Sequence, residues 1–223
     1  FFMKIYGKSP YASPTDMGVN MVGNCIIDDE VCREASRQEI IRRYYHTLCG
    51  FAEGKYTQEE INKLELLLSQ EDLTTTYRHT VTPAMERAEE TGAPAVAIEL
   101  PDGTIITGKT GDLLGASSAA LLNSIKYLGD IDHEALLLSP EAIAPIQMLK
   151  TQYLGSKNPR LHTDEVLIAL SATAAENEVA ALALRQLPKL SGAQVHSTVM
   201  LSSVDKKIFK KLGCDLTCEA KTD

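Results

Sequence analysis

The chain has 223 residues, of which 44% are hydrophobic and 23% charged, and its formal net charge is −8 at pH 7. A chain of this composition can bury a core, and its length admits one large domain or two small ones. The acidic balance argues against a nucleic-acid partner, because such binding depends on clustered Lys and Arg. No apolar run approaches the ~20 residues that span a bilayer, so no membrane is expected.

The cysteines and the first residues indicate the compartment. The five cysteines are odd in number and lie in helical or strand patterns, unlike the disulfide framework of a small secreted domain. The first five residues have neither the charged region nor the apolar stretch of a signal peptide. We therefore expect a cytoplasmic protein, and because residue 1 is Phe rather than Met, we expect a fragment.

The first part of the chain predicts helices. Apolar residues recur at helical spacing over residues 28–49, and a capping box that begins at Thr57 predicts a second helix. Thr82 and Pro83 offer a cap and a first-turn proline for a third helix, which would end at Gly92. We therefore predict a mainly helical segment over residues 1–92.

The second part, residues 93–223, predicts strands that alternate with helices. A change to alternating periodicity after Pro94 indicates a hairpin, and Thr163 opens a helical segment that would break at Asn177. Strands alternating with helices favour a sheet that is covered on both faces. The predicted strands are 96–100, 104–108, 135–138, 193–201 and 215–218.

Several long strings of residues resemble one bacterial family. The strings are 13–21, 97–103, 108–110 with 115–118, 158–170 and 196–198. They resemble the family known as domain of unknown function 1846, whose members are about twice this long, and the resemblance covers nearly the whole chain. It implies an amino-terminal half with a glycine-rich, phosphate-loop-like segment, which would precede residue 1. We expect this half of the same protein to be a binding partner of the chain.

The resemblance also implies a three-layer αβα domain with a mixed sheet, in a topology similar to that of cytidine deaminases. Topology does not transfer activity. A zinc deaminase needs a His-x-Glu and a Pro-Cys-x-x-Cys sequence, and this chain contains neither. We therefore expect no deaminase activity and no metal site, and no cofactor is assigned.

A glycine-rich stretch over residues 108–118 is the first candidate for a ligand loop. Its backbone amides could surround an anion, with Lys109 and Thr110 before a helix that begins near Ser117 and Ser118. The stretch lacks the spacing of a Walker loop. A plain connection between strand and helix, whose glycines satisfy the turn geometry, is the commoner role of such a loop, and both interpretations stay open.

The residues before the predicted helix at Thr163 form the second candidate. Arg160 and His162 bring a cation and an imidazole to a helix amino terminus, which attracts anions. His196 lies in a predicted strand beside Ser197, and neighbouring strand residues point to opposite faces, so the two cannot form a nucleophile pair by themselves.

A third candidate is the proline-containing loop near the start of the chain. Thr15, Asp16 and Asn20 suit either a polar ligand or a crossing onto another domain.

Two functions follow from these patterns. In the first, the chain is the ligand-binding half of an enzyme that acts on an anionic small molecule, held near Lys109, Ser117, Arg160 and His162. In the second, it is a noncatalytic assembly module, in which the tyrosine-containing helix 28–49 packs against another copy or the other half of the protein.

Overall fold

The computed structural model describes residues 28–222, apart from the side chain of Asp29, so the candidates Thr15, Asp16 and Asn20 lie outside the described residues. The described residues form eight α-helices and four strands. The helices are α1 (Asp29–Ala52), α2 (Gln58–Gln70), α3 (Val81–Thr91), α4 (Ala116–Leu128), α5 (Pro140–Met148), α6 (Thr163–Thr173), α7 (Glu178–Leu184) and α8 (Ser203–Lys211). The strands are β1 (Ala95–Glu99), β2 (Ile105–Lys109), β3 (Gln194–Ser197) and β4 (Asp215–Cys218).

The four strands form one mixed sheet in the order β2-β1-β3-β4. Strand β1 pairs antiparallel with β2 and β3, whereas β3 and β4 are parallel. The hairpin between β1 and β2 turns at Gly103, whose φ of 84° is open to glycine at little cost. The predicted mixed α/β fold is therefore confirmed.

Helices cover both faces of the sheet. On one face α1 and α3 contact the strands, and Ile41 and Tyr45 belong to the apolar cluster beneath them. On the other face α4 packs on β1 and β2 in a larger core that includes Val96, Ile98 and Phe209. Because helices from residues 1–92 supply one of the three layers, the division at residue 92 stays a prediction.

The helix boundaries largely follow their sequence signals. The capping box at Thr57 is present, with the Thr57 amide donating to Glu60 at 2.8 Å. Asn177 interrupts the helical segment as predicted, because its side chain accepts from the amides at the start of α7. Helix α3 begins at Val81 after Thr80, so the predicted cap at Thr82 is wrong by two residues.

Two predicted strands differ from the structure. Residues 135–138 form no strand: the Ala135 amide donates to Asp132 in a turn, and Leu137 and Leu138 enter the core without a strand partner. Strand β3 stops at Ser197 rather than at residue 201. The Ser197 hydroxyl donates to the Val199 carbonyl at 2.8 Å, which turns the chain out of the sheet.

None of the helices within residues 28–222 has both the length and the apolar content to cross a membrane. Cys32, Cys49, Cys214 and Cys218 are free thiols.

Candidate functional site

Two segments that are distant in sequence run side by side before helices α4 and α6. Leu114 and Leu161 form a parallel bridge, in which the Leu161 amide donates to Leu113 and the Gly115 amide donates to Leu161. Leu161 is buried in the core. In an extended segment alternate side chains share a side, so Arg160 and His162 both project away from the side that Leu161 occupies.

Arg160 lines an open cavity at this junction, which we name the loop cavity. Its Nε donates to the Gly111 carbonyl at 2.8 Å, and this bond leaves the two terminal guanidinium nitrogens as the donors nearest the ligand space. The loop cavity has a volume of about 740 Å³ and is lined by Asp112, Lys157, Asn158, Pro159 and Arg160. Two cations against one carboxylate give it a positive balance.

A buried lysine fixes the backbone of this loop. Lys150 lies in a π-helical turn, Leu149–Tyr153, that continues α5, and such turns are frequent at functional sites. Its Nζ donates to the Arg160 carbonyl at 2.5 Å and to Glu165 Oε2 at 2.7 Å. Glu165 in turn accepts from the His162 amide at 2.8 Å. The ammonium group of Lys150 therefore holds the Arg160 carbonyl directly and the His162 amide through Glu165.

His162 is paired with a buried aspartate from a different helix. Its Nδ1 lies 3.0 Å from Asp205 Oδ2, in the first turn of α8. The same carboxylate accepts from the Thr163 amide at 3.0 Å, the Thr163 hydroxyl at 2.8 Å and the Ser202 hydroxyl at 2.7 Å. Two helix amino termini therefore meet at one carboxylate.

The charges of this pair follow from its hydrogen bonds. Burial alone would raise the pKa of Asp205, but the bonds from His162, Thr163 and Ser202 lower it to about 2. An ionised carboxylate can only accept, so Nδ1 of His162 carries the proton and Nε2 is left as the second ring position. The bond to Asp205 raises the pKa of His162, whose side chain is 35% exposed. This arrangement fixes the ring orientation and stabilises the protonated form of the ring.

Three backbone amides of the glycine-rich stretch are already bonded. The Thr110 amide donates to Pro94, the Gly111 amide to Leu114 and the Gly115 amide to Leu161. The glycine at residue 108 is explained by packing: a β-carbon there would lie 2.1 Å from the Ala120 amide nitrogen. These three amides are not free to bind an anion, whereas no side chain caps the amino end of α4, so the anion loop stays a prediction.

The other candidates in this stretch lie in different surroundings. Ser117 and Ser118 are buried, and the Ser118 hydroxyl donates to the Leu161 carbonyl at 3.0 Å, which ties α4 to the loop before α6. Lys109 is exposed at the end of β2, and Thr110 follows it. Lys109, Thr110 and His162 are not among the residues that line the loop cavity. Their roles as ligands stay predictions.

His196 is fully buried in the sheet, far from solvent. Its Nδ1 lies 2.9 Å from Thr217 Oγ1, and the ring of Tyr45 lies against it with centroids 4.9 Å apart. Its Nε2 has no hydrogen bond within residues 28–222 and is 3.5 Å from Glu219 Oε1. Burial lowers the pKa of His196. Ser197 bonds to Val199 instead, so the two neighbours have separate partners, as the strand geometry requires.

The sequence signals missed Asp205 and Lys150. Ser202 and Asp205 have the spacing of a helix cap, and the Asp205 amide does donate to the Ser202 hydroxyl at 3.1 Å. Nothing in that local pattern indicates a partner 43 residues earlier. Lys150 sits in an apolar helical pattern whose ion pair with Glu165 appears only when the loop folds back. Within residues 28–222 there is no group of three or more His, Cys, Asp or Glu side chains arranged to hold a metal ion.

The fold and this junction define a class: an α/β protein with a mixed four-stranded sheet, an oriented His–Asp pair and, two residues before that histidine, an arginine that lines a cavity. The chain belongs to the DUF1846 family. The model described as "Domain of unknown function DUF1846, N-terminal" matches residues 1–72, and the corresponding C-terminal model matches residues 76–223. The family resemblance seen in the sequence is confirmed.

Relatives of this chain occur in several bacteria. A UPF0371 protein of Corynebacterium urealyticum is 55% identical over 98% of this chain and 44% of its own length. A UPF0371 protein of Corynebacterium aurimucosum is 56% identical over 97% of this chain and 43% of its own length. A UPF0371 protein of Streptococcus pneumoniae is 52% identical over 96% of this chain and 43% of its own length. The chain therefore spans a little under half the length of the relatives it matches.

Proposed function

We propose that this part of the protein binds an anionic small molecule in the loop cavity and that His162 exchanges a proton with it. The observation that carries the proposal is the bond between His162 Nδ1 and Asp205, 3.0 Å long, on the segment that also presents Arg160. The site would be the ligand-binding half of an enzyme, completed by the rest of the longer protein.

Charge supports the anionic character of the ligand. Lys157 and Arg160 line the cavity against the single carboxylate of Asp112. A guanidinium that already donates through Nε keeps a fixed orientation, so less conformational entropy is lost when its remaining nitrogens bind a carboxylate or phosphate.

The histidine supports proton transfer. A carboxylate behind Nδ1 holds the ring and stabilises its protonated form, the role that such a group has in acid–base catalysis. The bond to Asp205 raises the pKa of His162, so the carboxylate favours the protonated ring and makes Nε2 a better proton acceptor. The reaction would be one in which a proton moves to or from an anionic substrate at Nε2.

A thermal-shift screen tests this proposal. The chain is heated with inorganic phosphate, sulfate, small carboxylates and phosphorylated metabolites, because a ligand that binds only the native state raises the unfolding temperature. We expect at least one of these anions to stabilise the chain, and Arg160→Gln to remove the effect. For that anion, mass spectrometry of the incubated compound with the chain and with His162→Asn tests turnover.

The matched control is Arg185→Gln, which removes an exposed arginine elsewhere in the structure. Stabilisation that survives Arg160→Gln, or that Arg185→Gln reduces equally, would show that the anion binds elsewhere. Binding without turnover in the full-length relative would leave a binding site and remove the proton-transfer role.

Assembly is the second candidate function, and a group of exposed apolar side chains favours it. The end of α5 and its π-helical continuation expose Met148, Leu149, Tyr153 and Leu154, with exposed fractions of 44%, 49%, 71% and 71%. Tyr45 of α1, by contrast, is buried against this chain's own His196. We therefore place the assembly surface on α5 rather than on the tyrosine-containing helix.

Light scattering after size-exclusion chromatography tests this second candidate. We expect a dimer or larger species that dissociates in Leu149→Asp with Tyr153→Asp. Leu66→Asp is the control, since Leu66 is an equally exposed leucine on α2. A monomer at high concentration for the unsubstituted chain would contradict it.

A further inference from the structure

A second cavity lies around the edge strand β4. It has a volume of about 620 Å³ and lies between α1 on one face of the sheet and α8 on the other. Pockets for small molecules commonly have volumes of roughly 300–1,000 Å³. We name it the lysine cavity, because Lys55, Lys206 and Lys210 line it.

The charges of the lysine cavity are unbalanced. Glu53 is the one carboxylate among its lining residues; it lies 2.5 Å from Lys55 Nζ and 3.7 Å from Lys206 Nζ. Lys210 pairs with no carboxylate in the part of the chain that the structure describes. Three ammonium groups against one carboxylate therefore favour an anionic ligand, in a chain whose overall charge is negative.

The inner wall is apolar. Leu201, Leu216 and the thiols of Cys49, Cys214 and Cys218 line it. Burial raises the pKa of Cys214 and of Cys218 to about 12 and also raises that of Cys49, so the thiols are protonated and behave as small apolar groups. Cys49 Sγ donates to the Cys218 carbonyl at 3.2 Å, which closes the wall between α1 and β4.

The mouth is shaped by a glycine inside α1. A β-carbon on Gly50 would lie 2.1 Å from the ring of Tyr56, so only glycine lets the loop after α1 fold back onto the helix. The Tyr56 hydroxyl then lies 3.2 Å from His46 Nε2, and His46 and Lys55 both line the cavity. The close packing of Gly50 against Tyr56 thus brings the ammonium group of Lys55 to the rim of the cavity.

We propose that the lysine cavity is a binding site for an amphipathic anion, a small molecule with one acidic group attached to an apolar body. The acidic group lies between Lys206 and Lys210, and the apolar body lies against Leu201, Leu216 and the thiols. The two positive side chains are one helical turn apart on α8, a spacing that brings them to the same face of the helix. This site is independent of the loop cavity and of its proposed function.

Two dyes with nearly the same skeleton test this site. Anilinonaphthalene sulfonate carries one anionic group on an apolar body, and phenylnaphthylamine has the same body without the charge. Both gain fluorescence in an apolar environment. We expect the sulfonate to bind with one-to-one stoichiometry and at least about tenfold more tightly than the neutral dye, because only the sulfonate can pair with the ammonium groups.

Matched substitutions on one helix separate the cavity from general charge. Lys206→Gln with Lys210→Gln should weaken binding of the sulfonate about tenfold. Lys207→Gln with Lys211→Gln makes the same change of charge on α8 at residues that do not line the cavity, and should leave the affinity unchanged. Glu53→Gln should tighten binding of the sulfonate several-fold with the one-to-one stoichiometry unchanged, whereas a partly unfolded chain would bind several dye molecules.

Three results would overturn the site. They are equal affinity of the two dyes, equal weakening by the two double variants, and no tightening with Glu53→Gln. Arg160→Gln should not affect dye binding, so failure here is distinguishable from failure of the loop-cavity proposal. Circular dichroism of each variant verifies that it is folded.

Discussion

Gly108 on β2 and Ala120 on α4 are in backbone contact: a β-carbon on Gly108 would lie 2.1 Å from the Ala120 amide nitrogen and 2.6 Å from its α-carbon. Strand and helix can therefore pack this closely only while residue 108 has no side chain. The contact explains a glycine in a stretch whose composition also suits an anion loop.

Gly108→Ala should destabilise the chain by about 3 kcal/mol, because the helix must move away from the sheet to relieve the overlap. Urea unfolding followed by circular dichroism measures the loss. Gly111→Ala is the control, since no atom lies within 4 Å of a β-carbon there and its φ is not positive. Similar changes in the two variants would show that the contact between residue 108 and Ala120 does not limit the packing.

Arg78→Ala should also be strongly destabilising. Arg78 is fully buried, and its guanidinium donates to Gln194 Oε1 at 2.8 Å, to the Val195 carbonyl at 3.2 Å and to the Asp215 carbonyl. Burial lowers its pKa to about 10, yet it stays charged at neutral pH. Removing it leaves buried carbonyls without a donor, at a cost of about 3–5 kcal/mol.

Equilibrium unfolding of Arg78→Ala beside Arg185→Ala checks this value. Arg185 is exposed, and its replacement should change the free energy of unfolding by less than about 0.5 kcal/mol. If Arg78→Ala lowers the free energy of unfolding no more than Arg185→Ala does, water must replace the guanidinium as the donor to the three oxygens.

The pair of His162 and Asp205 predicts stability that declines as the pH rises. The bond to Asp205 raises the pKa of His162 in the folded chain above its ordinary value of about 6.5. Its contribution is therefore fully present below that ordinary value and is lost as the pH rises through the raised pKa. His162→Asn keeps a donor for Asp205 but cannot titrate, so we expect this part of the pH dependence to vanish.

Proton NMR of the imidazole gives the direct measurement. Asp205→Asn should return the pKa of His162 towards its ordinary value, because the first cause of the shift is the bond to that carboxylate. A pKa that stays raised in Asp205→Asn would assign the shift to Glu165 instead, whose charge also raises it.

His196 predicts the opposite dependence. Burial lowers its pKa in the folded chain, so below a pH of about 6.5 the unfolded chain binds a proton that the folded chain does not. Stability should therefore fall as the pH drops from about 6.5 to the lowered pKa. His196→Asn keeps a donor for Thr217 and should remove this decline, although the smaller side chain lowers stability at every pH.

Stability curves of the two histidine variants, measured from mildly acidic to mildly alkaline pH, distinguish the effects by sign. A decline at low pH that persists in His196→Asn would point to carboxylates as its origin.

Local signals predicted the elements, and long-range contacts decided the site. The capping box at Thr57, the break at Asn177 and the alternation before the hairpin each act within a few residues, so the sequence displays them. The apolar run at residues 135–138 predicts a buried strand, and Leu137 and Leu138 are indeed buried. A buried turn produces the same run of apolar residues, so the sequence does not distinguish the two.

The site depends on contacts that no local pattern encodes. Asp205 meets His162 across 43 residues, and Cys49 meets the end of β4 across 169. The sequence indicated Arg160 and His162 because they precede a helix, but the partners that orient them come from elsewhere in the fold. Proximity of this kind follows from topology and not from spacing.

The contacts around Arg78 bear on where this protein can be cut. The two family models meet between residues 72 and 76, yet Gln38 reaches Arg78, Arg42 pairs with Asp215, and Tyr45 covers His196 across that border. A fragment that begins at residue 76 would keep Arg78 and α3, but it would expose to solvent the part of the sheet that α1 covers, including the buried His196. The border between the two family models is therefore not a boundary between independently folded parts. Cutting the chain there, by gene fusion, in a split reporter or by limited proteolysis, should not give two stable fragments.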